Sequence, residues 1–186
     1  MLQLPPIPAW DSMHPLIIHF PIVLLLITPI FVAISMVLAP GKGRPYMVAA
    51  LLTILLGTIS IYFATFSGEA AAELAERGGA VNAVLESHES LAEVTKIVFT
   101  VLTIILFGMY LVPLMLRRRE TRLFSTLLPL AFLALYSVGV VFLVNTAHAG
   151  GRLVHEFGVH AILPVSENVS DGVKAADLKA GQSDND

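Results

Sequence analysis

Long apolar runs separated by short polar interruptions dominate the chain. The first covers residues 16–38 and is closed by Ala39-Pro40-Gly41; the second covers 46–66 and is closed by Ser67-Gly68. A third covers 94–116 and a fourth 123–144. Each is long enough for an α-helix of about 20 residues to cross a bilayer. The pattern predicts an all-α integral membrane protein, four spans packed as one helix bundle. Between the second and third runs, Glu69-Ala70-Ala71-Ala72-Glu73-Leu74-Ala75-Glu76-Arg77 is rich in helix formers and ends at Gly78-Gly79, which predicts a short helix over 69–77 with Glu69, Glu73 and Glu76 on one face. From Val81 the helical pattern runs without a breaker into the third span. That places His88 a turn or two beyond the apolar run, with Glu86, Glu89 and Glu93 around it. A further helical segment is expected over 145–157. Residues 1–163 thus read as one four-span domain, and the polar stretch 164–186 as a disordered tail.

Composition agrees with this reading and removes alternatives. Hydrophobic residues make up 56% of the chain, charged residues 13%, and the mean hydropathy is +0.80, too apolar to cover a water-exposed globule. Cysteine is absent, which excludes disulfides, iron–sulfur ligation by this chain and a CxxCH haem attachment. The net charge of −3 is small but unevenly spread. Lys42 and Arg44 lie in the loop after the first span; Arg117, Arg118, Arg119 and Arg122 lie in the loop after the third; Glu120 is the single acid in either. The positive-inside rule puts both loops in the cytoplasm and both termini on the outer side. Residues 1–13 lack a basic n-region, so the first span reads as an uncleaved anchor with Trp10 at the interface.

With that topology all six histidines, His14, His19, His88, His148, His155 and His160, fall on the outer side, together with every acid except Glu120. Pro15 suits the first turn of a helix, so His14 sits at the mouth of the first span. His19 follows roughly 7 Å deeper. Pro21 and Pro29 can kink this helix and open space beside it. His148 and His155 are seven residues apart, on one helix face but roughly 10 Å apart along the axis, so they cannot both bind one iron axially. Gly57, Gly68, Gly108, Gly139, Gly150 and Gly151 permit close approach of a neighbouring helix or a flat macrocycle. No GxxxxGK[ST], HExxH or Glu-x-x-His di-iron pattern occurs, and no basic patch suits a nucleic acid.

Three segments, His14-Pro15-Leu16-Ile17-Ile18-His19-Phe20-Pro21-Ile22, Ser67-Gly68-Glu69-Ala70-Ala71-Ala72-Glu73 with Ser87-His88-Glu89, and Gly150-Gly151-Arg152-Leu153-Val154-His155-Glu156-Phe157-Gly158-Val159, resemble in order a bacterial four-helix membrane family catalogued as domain of unknown function 2231. The resemblance covers most of the chain up to Val159. It implies a multi-pass protein of the bacterial inner membrane. Relatives fused to Rieske-type iron–sulfur or c-type cytochrome domains imply respiratory electron transfer, with such proteins, cytochrome c or other membrane subunits as partners. His14, His19 and His88 match the family best, followed by His148; at His155 the family carries tyrosine.

Three functions remain on these residues. The first is an electron-transfer subunit holding b-type haem near the outer face through two imidazoles drawn from His14, His19, His88 and His148. The second is an iron, copper or zinc site built from His14, His19, His88, His148 and His155 with Glu69, Glu73 and Glu89. The third is a cofactor-free scaffold or anchor subunit of a larger complex. A redox or scaffold role is expected over that of a free-standing enzyme.

Overall fold

The computed structural model describes residues 10–38, 41–75, 78–115 and 126–159. After a 3-10 turn at Trp10–Ser12 come α1 (His14–Ile17), α2 (His19–Val37), α3 (Arg44–Leu74), α4 (Gly79–Met115) and α5 (Leu128–His155). No strand occurs among the described residues. Helices α1 and α2 form one apolar rod interrupted at Ile18, because Pro21 has no N–H to give the carbonyl of Ile17. Four helical stretches, His14–Val37, Arg44–Glu73, Gly79–Met115 and Leu128–His155, are long and apolar enough to cross a membrane. The chain is an all-α, multi-pass membrane protein.

Two predicted boundaries shift. Ser67-Gly68 does not end the second span: α3 passes through it to Leu74, so the short outer helix expected over 69–77 is the last turns of α3. Glu76 and Arg77 lie outside the described residues, as do His160 and the tail over 164–186. The uninterrupted run into the third span is present as α4, and the segment after the fourth span is the end of α5. At roughly 1.5 Å per residue, the 37 residues of α4 measure about 55 Å, well beyond the roughly 30 Å apolar core of a bilayer. Its first turns therefore project from the membrane and carry His88.

Packing places α2 against α3 and α4 against α5 as two helical hairpins, and the hairpins meet through α3 with α4 and α2 with α5. Leu25, Val32, Ile54, Phe99, Leu102, Leu106 and Tyr136 fill the middle. The opposite faces carry exposed Val23, Ile30, Leu52, Ile97 and Val138, an apolar girdle suited to lipid. Pro29 leaves the carbonyl of Leu25 without a helical donor, and the buried Tyr136 hydroxyl supplies one at 2.7 Å from α5. Lys96, in the third span, reaches back to Glu93 and lies over the Tyr62 ring at 5.7 Å.

A second, smaller core forms at the projecting end from Ala72, Val84, Leu85 and Leu153, with Val81, Phe157 and Val159 packed on it. The chain turns back onto this core after α5. Gly158, at φ +65, takes the left-handed conformation that lets its own N–H reach the Val154 carbonyl and the Val159 N–H reach that of Leu153. The first of these, from the left-handed residue to the carbonyl four residues back, is the closing bond of an αL C-cap. The cap ties α3, α4 and α5 together at the histidine-bearing end.

Candidate functional site

Among the described histidines, two meet. His14, on the first turn of α1, and His88, about a quarter of the way along α4, have ring centres 6.4 Å apart with planes at 82°. Each is fixed by the second helix of its own hairpin. The Nδ1–H of His14 donates to the Ala64 carbonyl at 3.0 Å and lies 3.2 Å from the Ser67 hydroxyl, which itself donates to Ala64. The Nδ1–H of His88 donates to the Thr146 carbonyl at 2.9 Å. A helix carbonyl has a spare lone pair for such a donor. The Thr146 side chain is held by Thr95 of α4 at 2.9 Å, which keeps the two helices in register beside the ring.

A carbonyl only accepts, so each Nδ1 carries the proton and each neutral ring leaves its Nε2 lone pair free. Burial reinforces neutrality, because an imidazolium taken from water without a counter-charge is costly and two of them this close repel. Neither Nε2 makes a hydrogen bond among the described residues. A neutral imidazole with Nδ1–H on a carbonyl is the state in which histidine binds a metal.

Glycine makes room for both rings. A Cβ on Gly68 would sit 3.0 Å from Cε1 of His14, and one on Gly150 would sit 2.9 Å from Cε1 of His88. The close approach made at these two glycines is that of an imidazole. Gly57 and Gly139 serve packing, their missing side chains replaced by Leu25 and by Leu102 with Val98.

The other candidates stand apart. His19 is five residues beyond His14, about 140° around the helix, and is exposed on the outside of the bundle. His148 and His155 are exposed on α5, and Glu69, Glu73 and Glu89 are exposed on α3 and α4. Among the described residues no group of three or more histidines and acids is close enough to hold a metal ion. Sequence reading missed Ala64, Ser67, Thr95 and Thr146. The backbone carbonyls leave no sequence signal, but Gly57 and Gly68 have the same separation as Gly139 and Gly150, and that recurrence marks both ring cradles.

The pair offers the donor type that iron and copper take, with ring centres 6.4 Å apart. The apolar groove of about 260 Å³ among Trp10, Ile17, Phe20, Ser60 and Phe63, and a smaller one of about 70 Å³ beside Asn82 and Glu86, are lined by neither ring. Seating a macrocycle thus requires the hairpins to part at this end; an ion does not.

A family model described as a predicted membrane protein, DUF2231, matches residues 11–162. No curated protein and no solved structure matches the chain.

Proposed function

The chain belongs to the DUF2231 family of predicted membrane proteins, and from that membership and its histidine pair we propose an electron-transfer subunit of the bacterial inner membrane that holds one b-type haem between His14 and His88 on the outer face. The observation that carries this reading is the meeting of two imidazoles from separate hairpins, each with Nδ1 on a backbone carbonyl and, among the described residues, with no third metal-ligating group beside them. Haem iron takes four equatorial nitrogens from its own ring and asks the protein for two; a zinc site asks for four donors. Bound there, a haem would supply one-electron chemistry. His14 and His88 would hold it, the Ala64 and Thr146 carbonyls would fix their tautomers, and the small core of Val84, Leu85, Leu153 and Val159 would limit water. Cytochrome c or a Rieske-type protein is the partner class this reading implies.

A copper ion between the same rings is the second reading, favoured by the absence of either ring from the described grooves. Cuprous copper accepts two imidazoles without a macrocycle. Purification after expression with haem available, followed by oxidised and reduced visible spectra and elemental analysis, separates them. The haem reading predicts a reducible b-type spectrum that His14→Ala or His88→Ala abolishes and His19→Ala or His148→Ala leaves intact. Copper without porphyrin would overturn it in favour of the second reading. A folded protein with neither would leave the scaffold role.

A further inference from the structure

The two hairpins repeat one another. A shift of 74 residues carries His14 onto His88 and Leu24-Leu25 onto Val98-Phe99, and a shift of 82 carries Gly57, Ala64 and Gly68 onto Gly139, Thr146 and Gly150. The positions matched by number are also matched by contact. His14 bonds to the residue 64 carbonyl and rests on Gly68; His88 bonds to the residue 146 carbonyl and rests on Gly150. A Cβ on Gly57 would meet Leu24 and Leu25; one on Gly139 would meet Val98, Phe99 and Leu102. The carbonyl of Leu25 accepts from Tyr136 of the other hairpin, and that of Phe99 accepts from Thr58 of the other hairpin, at 3.4 Å. The difference of eight between the two shifts falls between residues 37 and 44 in the first hairpin and between 111 and 126 in the second.

Helix pairing obeys the same operation. Exchanging α2 with α4 and α3 with α5 turns the contact of α3 with α4 into that of α5 with α2, and both are present. Both hairpins place their connection at one end and their paired histidine at the other. The axis that relates them therefore runs along the bundle, as in parallel repeats of other membrane proteins, and the two imidazoles it relates have ring centres 6.4 Å apart.

We infer that the chain is a tandem duplication of one helical hairpin, and that each copy carries half of a single binding site: a histidine on its first helix, with a carbonyl and a glycine four residues apart on its second. Such a site takes one ligand per chain, on the axis, of the class that needs two imidazole nitrogens on opposite sides. That the ligand is haem iron rests on the function proposed above; the half-site architecture does not. Gly68 and Gly150 are positioning residues in it. Each acts on the ligand through the ring it makes room for. The repeat is not perfect: Ser67 adds a hydroxyl beside His14, and Thr146 and Thr95 add a hydroxyl pair beside His88, so the halves are equivalent in geometry while their surroundings differ.

The test is ¹⁵N magnetic resonance of the full chain with ¹⁵N-labelled imidazoles, first without ligand and then with hemin. Two histidines are expected as Nδ1–H tautomers hydrogen-bonded in the ligand-free protein. Gly68→Ala should displace the signals of one and Gly150→Ala those of the other, and each variant should weaken hemin binding by about 10–100-fold, the usual effect of disturbing a ligand's support. The unsubstituted protein carries the tautomer readout even if an alanine variant fails to fold. Nε2–H tautomers at His14 and His88, or a response to only one glycine in two folded variants, would overturn the half-site. If the ligand-free pattern is present and hemin leaves both Nε2 signals unchanged, the half-site stands and the haem reading falls.

Discussion

At the scale of single residues, the site depends on rotation about helix axes more than on which residue types are present. His14 and His19 lie in one motif, five residues apart, and only the first is turned inward. An amphipathic helix in water would reveal that rotation through its polar face. Here the lipid-facing side is as apolar as the core, so Val23 and Leu25 carry no mark to say which is exposed and which buried. The candidate list was therefore legible in the sequence as a cluster at one end, while the choice of His14 with His88 was not. Removing the Tyr136 hydroxyl tests a second residue-scale contact. Tyr136→Phe leaves the Leu25 carbonyl buried without a donor, and a loss of about 1–3 kcal/mol in unfolding free energy is expected in detergent titrations.

At the scale of elements, Pro29 and Tyr136 act as a unit across two helices. Pro29→Ala restores an N–H that can reach Leu25 within α2, so Tyr136→Phe should cost markedly less in that background than alone. Equal costs in the two backgrounds, read from a double-mutant cycle, would mean the hydroxyl does not serve the proline gap. Helix existence was readable from the apolar runs because bilayer thickness imposes a length on them. The end of the second span was misplaced at Ser67-Gly68 for a physical reason. Glycine weakens a helix by only about 1 kcal/mol, and the His14 ring and the Ser67 bond to Ala64 oppose a break there. The glycine that reads as a terminator is a seat for an imidazole.

At the scale of the whole molecule, two hairpins standing side by side put their connections at one end and His14 and His88 at the other, and the positive-inside rule predicts that the connections face the cytoplasm. The absence of native cysteine makes this easy to check. A cysteine replacing exposed Glu73 should react with a membrane-impermeant maleimide on intact cells freed of their outer membrane, and one replacing Lys42 should react only after lysis. The opposite pattern would reverse the orientation and place the site on the cytoplasmic side. In the proposed haem site the two ligands come from two hairpins, so loss of either histidine should remove the whole centre rather than half of it.

Electron paramagnetic resonance of the oxidised, haem-loaded protein bears on that centre most directly. A haem held by two imidazoles should give a low-spin ferric signal, lost in both His14→Ala and His88→Ala. A high-spin signal in the intact protein, or a low-spin signal that survives removal of either histidine, would contradict the account.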